Sequence, residues 1–298
     1  MMQTPAQTIA PPPSGLNFVN YFGAGVTDAY RSAILDAEQD LKTHFTDPVT
    51  VTVSFDLQPM DAGVSAASTY NLVHVSYDTL TAALKAHATT AADAQAIAGL
   101  PSVDPSHGAG FDLAAPEARV LGLAQPSANI DAAVVLNSNL SFSFGQDAVG
   151  AIEHSLSQGV FGRIGGLGAN QTGAYSPMDL FRFTASGEHD FTGGADGQAT
   201  YFGLNSGDVT AFQFHNSINA GGATDGLALA DWDHTVGDAF GPGGPGSNDT
   251  LSATDLQVLD VLGWTPAAAV AAPAPAPVQP EPVHMTILHP GEGWVMLA

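Results

Sequence analysis

The sequence predicts an α+β fold over residues 16–264, and three observations carry that expectation. Residues 49–55 alternate with a period of two, putting Val49, Val51, Val53 and Phe55 on one face and Thr50, Thr52 and Ser54 on the other, as in a half-buried strand. Just before them, Ala29, Ala33, Ile34, Ala37 and Leu41 recur at spacings of three or four, the pattern of an amphipathic helix over 28–45. After Gly162 the chain becomes glycine-rich, with clusters at 165–168, 193–197 and 241–246, so regular structure concentrates in the first half.

Taken in order, residues 1–15 are polar and proline-rich (Pro11, Pro12, Pro13) and read as a disordered lead. Residues 16–22 read as a strand, giving a β–α–β opening with the helix and strand above. A third strand is expected at 71–77, an alanine-rich helix at 78–98, and further strands at 120–123 and 131–140. The last of these leads through Ser141, Phe142, Ser143, Phe144 and Gly145 into a helix from 146 to about 158. A closing helix is marked by Ser252 as N-cap, Asp255 three residues on in the manner of a capping box, the apolar Leu256, Leu259 and Leu262, and Gly263 just past the end. The domain is expected to close at Trp264. The architecture is thus a mixed sheet with flanking helices, a long central helix and a loop-rich C-terminal subdomain. Residues 265–282 are almost all Ala, Pro and Val, a composition that favours polyproline II and reaches about 55 Å at ~3.1 Å per residue. An apolar tail, 283–298, follows, with Val283, Met285 and Ile287 before a Pro290-Gly291 turn and Trp294 after it.

Composition narrows the function classes. The 298 residues hold 6 Lys+Arg against 29 Asp+Glu, a net charge of −23, which repels nucleic acid and anionic membrane surfaces and favours cations as partners. Cysteine is absent, which excludes disulfides, thiolate metal sites and thiol catalysis. The sequence contains no apolar run of about 18 residues, so no membrane insertion is expected. Residues 1–14 lack the basic and apolar regions of a cleavable signal peptide, while the nearly uncharged, apolar tail resembles uncleaved signals of bacterial type I secretion. The expected location is extracellular or at the cell surface, without amino-terminal cleavage.

The segment from Ala151 to Gly168 carries a resemblance. Glu153-His154-Ser155-Leu156-Ser157-Gln158-Gly159-Val160-Phe161-Gly162-Arg163 is similar to the zinc helix of a group of secreted bacterial zincin-like metallopeptidases, whose members run Glu-His-Glu-Ile-Ser-Glu-Gly-Gly-Met-Gly-Arg in the same register. Tyr175-Ser176-Pro177-Met178-Asp179-Leu180-Phe181-Arg182 resembles that group's methionine-turn region. Asp231-Trp232-Asp233, Gly237-Asp238-Ala239-Phe240 and the stretch from Thr254 to Trp264 resemble its C-terminal half. The resemblance implies a zincin-like fold in which a peptide would lie in the cleft between the two halves.

In a His-Glu-x-x-His helix, ligands four apart share one face and hold one zinc, while the Glu beside the first ligand acts as general base on the metal-bound water. Here the first ligand position is His154, the base position Ser155 and the second ligand position Gln158. Serine does not take a proton near neutral pH, and a neutral amide is a poor zinc ligand. The motif therefore points to a site that has lost its catalysis and does not hold zinc, the enzyme reading surviving only if other groups complete the site. Glu153 lies about 100° round the helix from His154 and should not face the same metal. His189, His215 and His234 lack ligand spacing and read as hydrogen-bonded or surface loop histidines. Met178 reads as an apolar floor beneath the former metal site. For Arg163 and Arg182, the scarcity of cations favours structural ion pairs with Asp179 or another carboxylate over binding of a substrate carboxylate. Glycine- and aspartate-rich loops at 190–197 and 247–249 are either calcium sites or plain turns, and neither follows the twelve-residue helix–loop–helix calcium pattern. The tail is either an export signal or an assembly element that adds a strand to another copy of the chain.

Overall fold

The protein is described from a computed structural model, which covers residues 15–61, 64–168, 173–194, 198–216, 229–233, 236–241 and 244–267. It is an α+β fold. Strands β1 (Asn17–Phe22), β2 (Thr50–Gln58), β3 (Ala66–Tyr70) and β6 (Ala132–Asn137) form a sheet in the order β1-β2-β6-β3. The first three neighbours run parallel and β3 is antiparallel to β6.

The period-two pattern of β2 decides which face is covered. Registers Phe18↔Val51 and Phe22↔Phe55, then Phe55↔Val134 and Leu57↔Leu136, align the apolar residues of successive strands on one side. Helix α1 (Asp28–His44) lies over that side at β1, with Arg31 over the Phe22 ring and Lys42 over that of Phe18. Helix α5 (Gln146–Gly159) lies over β6 and β3, and a Cβ on Gly159 would stand 3.2 Å from that of Ala132 and 3.4 Å from the Tyr70 ring. That approach explains a glycine at a helix end pressed on a sheet. The other face carries Val19, Tyr21, Ser54, Asp56, Ala133 and Val135, none of them fully buried.

The elements between β3 and β6 differ from the sequence reading. The expected strand at 71–77 is the shorter β4 (Leu72–Val75), and β3 immediately before it was missed. Their partners explain the split: β3 joins β6, while β4 pairs with β5 (Phe111–Ala114) in a separate two-stranded ribbon. The alanine-rich stretch is two helices, α2 (Tyr77–His87) and α3 (Ala91–Gly99), because Thr90 forms a capping box with Asp93 and starts a new helix. The strand expected at 120–123 is instead the end of α4 (Ala115–Val120) and a turn at Gly122, whose φ is 71°. Arg119 of α4 grips Asp131 with two hydrogen bonds of 2.8 Å, and Asp131 accepts from the Thr52 amide, so β2 and β6 are clamped at their start.

The second half is less loop-rich than its glycine content suggests. A 3-10 turn at Pro177–Phe181 leads into β7 (Arg182–Thr184), which forms an antiparallel meander with β8 (Thr200–Asn205) and β9 (Asp208–Gln213). Helix α6 (Ala253–Val261) has the Ser252/Asp255 capping box, and Gly263 follows at φ 110°. Trp264 is buried against Phe161, with ring centroids 4.1 Å apart, and donates to the Phe161 carbonyl.

The folded unit runs past Trp264. Thr265 donates its amide and hydroxyl to Asp47, Thr46 donates to the Thr265 carbonyl, and Ala267 donates to the His44 carbonyl. The compact unit accordingly runs to Ala267, three residues past Trp264. Residues 268–298, including Val283, Met285, Ile287 and Trp294, lie outside the described residues. A chain ending at Ala267 is expected to melt within a degree or so of the full chain. One ending at Trp264 loses these bonds and should be about 1–3 kcal/mol less stable, a difference that thermal unfolding will read.

Candidate functional site

The site is built around α5. Asp147, in its first turn, accepts from the Ser143 amide and hydroxyl and from the Gly246 amide, fixing the helix start between two loops. Farther along, Ala151, His154 and Gln158 are half-exposed while their neighbours are buried, so positions 154 and 158 share one open stripe as the four-residue spacing requires.

His154 is held by the chain itself. Its Nδ1 lies 2.8 Å from the Ala239 carbonyl, which makes Nδ1 the protonated nitrogen, and its Nε2 stands 3.6 Å from Oδ1 of Asp231. The imidazole also stacks on Phe240, centroids 4.4 Å apart and planes at 23°. All three partners belong to one closed loop, since the Trp232 amide donates to the Phe240 carbonyl and its start is tied to β9 through Asp233 and Gln213. Ser155 is buried and turns back into its helix, donating to the Ala151 carbonyl at 2.9 Å. A hydroxyl used this way is a local helix bond, not a group poised toward a ligand. Gln158 sits on the open stripe beside His154.

Glu153 points the other way. It is buried, shares a hydrogen bond with Asp40 of α1, and its pKa is pushed up to about 8, first by burial and then by the charge of Asp40. It is therefore a proton-holding link between α5 and α1.

Arg163 is fully buried just beyond the helix. Its guanidinium pairs with Oδ1 of Asp255, donates to the Ala230 carbonyl, and lies over the rings of Phe240 (3.3 Å) and Trp232 (4.3 Å). Trp232 donates its indole N–H to the same Oδ1, while Oδ2 takes the α6 cap from Ser252. Burial alone would raise the Asp255 pKa, but Arg163 and Ser252 hold it below the usual carboxylate range. Nearby Asp238 is raised to about 6 by burial and by the charge of Asp255.

Arg182 does not pair with Asp179. It donates to the Leu229 carbonyl, the Thr200 hydroxyl and Asn216 Oδ1, and lies over Phe214, with its pKa lowered to about 10 by burial. Asp179 instead accepts from the amides of Gly166, Leu167 and Ser176 and from the Ser176 hydroxyl, closing the loop after Arg163. With that carboxylate saturated by short-range donors, the Arg182 guanidinium bonds to neutral oxygens instead. Met178 is buried in the core. His189 Nε2 lies 2.9 Å from the Gly99 carbonyl and its ring stacks on Phe191; His215 is buried, and His234 lies outside the described residues.

Asp190 spends its carboxylate on Thr192 and the Gly194 amide, the bonding of a self-closed turn, whereas Asp196 lies outside the described residues. Among the described residues, no three His, Cys, Asp or Glu side chains gather so as to hold a metal ion. The residues at the implied zinc position do not fit zinc: one imidazole, one amide and a serine bonded into its own helix.

Sequence reasoning had placed Asp231 and Phe240 in motifs without a role, and had read Asp255 only as a cap. The missed signal is that a capping aspartate has two oxygens, and the second was free to meet the cation of Arg163.

No family model, no curated protein and no solved structure matches the chain.

The Glu153 carboxyl has a testable sign. Its pKa rises on folding from 4.5 to about 8, so its contribution to stability is complete below pH 4.5 and is lost as pH climbs through 8. Glu153→Gln should therefore melt a few degrees higher than the parent at pH 8, show little gain at pH 5, and flatten the fall of Tm between them in a scanning-calorimetry series.

Proposed function

We propose that this chain is a secreted zincin-like scaffold whose metallopeptidase site has become structural, so that it works outside the cell by binding or self-assembly and not by peptide cleavage. The observation that carries this reading is the engagement of His154. Both ring nitrogens face groups of the 231–239 loop and the ring face is covered by Phe240, so the residue at the first ligand position clips that loop to α5. Ser155, bonded to Ala151, supplies no base, and Gln158 supplies no strong ligand. Secretion is supported by the acidic, cysteine-free composition and the nearly uncharged, apolar tail. No helix among the described residues is long and apolar enough to cross a membrane.

One observation favours a second reading, an atypical zinc metallopeptidase. The Nδ1–carbonyl bond is also what orients a metal-ligating histidine, and Asp231 brings a carboxylate to the other nitrogen. Metal analysis and casein digestion separate the two. The purified chain is expected to carry no stoichiometric zinc and to leave unfolded casein intact; near-stoichiometric zinc with chelator-sensitive cleavage would establish the second reading instead.

Gln158→His is expected to raise zinc affinity by orders of magnitude, measured by competition with a chromogenic chelator, because it puts a second imidazole four residues from His154 with Asp231 alongside. Casein should remain uncut by this variant, since position 155 still lacks a base.

A further inference from the structure

Among the described residues the sheet ends in β1, whose outer edge pairs with no other strand. The Asn17 amide donates to Val49 and that of Gly23 to Phe55, so the odd-numbered residues of β1 face β2 and the amides and carbonyls of Phe18, Asn20 and Phe22 point away from the sheet. Edge strands of this kind are normally blunted by a bulge, a proline or inward-pointing charge. β1 itself carries no bulge, proline or charged residue: it is six residues in unbroken register with β2.

The surroundings of that edge are apolar. Of the six exposed large hydrophobic residues among those described, three lie on β1 and α1: Val19 (39%) and Tyr21 (56%) on the sheet face away from α1, and Leu35 (54%) on α1 itself. Leu35 is one turn beyond Arg31 on α1, on the stripe that runs on toward Lys42, and those two cations cover Phe22 and Phe18. Two of the chain's six Lys and Arg thus stand at this edge in a protein of net charge −23.

We infer that the free edge of β1 is the acceptor for residues 283–288 of a second copy, added as a fifth strand in the groove under Leu35; this rests on the self-assembly reading above. The donor fits by length and pattern. Six residues face six, and Val283, Met285 and Ile287 alternate with His284, Thr286 and Leu288, so the first row can join Phe18 and Phe22 under α1 while the second, ending in Leu288, lies beside Val19 and Tyr21 on the opposite face. Apart from Glu281 and Glu292, residues 268–298 carry no acidic or basic side chains other than two histidines, so the donor brings little repulsion to an acidic acceptor.

The place where the folded unit ends lets this segment reach a second copy. Thr265 is bonded to Thr46, and Thr46 to Gly15, so the chain leaves the domain beside the start of β1. The 15 residues 268–282 are long enough to span about 46 Å at the ~3.1 Å per residue that an Ala/Pro-rich composition favours. β1 itself is only about 20 Å long, so a span of that length is enough to bring 283–288 to the β1 edge of a neighbouring copy. Each copy then offers one donor and one acceptor, which generates an open chain.

Sedimentation velocity of the intact protein tests this. The parent should grow in mass with concentration, while the acceptor variant Tyr21→Lys/Leu35→Lys and the donor variant Ile287→Asp should each stay monomeric, with association weakened about tenfold or more. Both alterations of the acceptor are at exposed positions. Mixed together, the two variants should form dimers and nothing larger, because one intact donor meets one intact acceptor. A synthetic peptide of residues 281–290 should cap the parent and halt its growth, a measurement that needs no variant to fold. If Tyr21→Lys/Leu35→Lys assembles like the parent and the peptide still caps it, β1 is not the acceptor although assembly through the tail stands. If the parent stays monomeric at every concentration, both this inference and the self-assembly reading fall.

Discussion

The architecture around the site depends on one buried charge. The Arg163 guanidinium has no access to solvent, and an isolated cation there would be untenable, so everything around it is arranged to answer it. Asp255 supplies the counter-charge, the Ala230 carbonyl two further acceptor contacts, and Phe240 and Trp232 their ring faces. These partners come from the loop that holds His154 and from the first turn of α6. One side chain therefore fixes three segments that are far apart in sequence, and the position of His154 follows, because Phe240 carries the arginine and the imidazole on the same ring.

Much of the fold was legible because its signals are local. The alternation of β2, the spacing of α1 and the Ser252/Asp255 box each depend on a few adjacent residues, and the elements lie within a few residues of where those patterns put them. The failures share a cause: β3 and β4 are consecutive strands divided by their pairing partners, and no feature of residues 66–75 announces that one joins β6 and the other β5. The meander of β7, β8 and β9 was hidden by the glycines around it, as strands of three and six residues rely on partners for their stability more than on propensity.

The site was legible in part. Helix geometry placed His154 and Gln158 on one stripe, and a serine at 155 offers no general base. What fills the space could not be read, because Asp231, Ala239 and Phe240 lie some 80 residues away and reach His154 only through the closure of their loop. Arg182 shows the same limit. Its neighbour in sequence, Asp179, was the natural partner, but three amides took that carboxylate first.

The buried acids also change what the net charge means. Glu38 and Asp260 are raised to about 7 by burial, Glu153 to about 8, and fully buried Glu117 well above its ordinary value. The folded protein at neutral pH is therefore less negative than the formal −23. Unfolding exposes these carboxyls and releases their protons to the buffer, so the unfolded chain gains negative charge at the moment its apolar surface is uncovered. That added self-repulsion opposes coagulation of unfolded molecules, and the heat of unfolding acquires a component set by the ionisation enthalpy of the buffer.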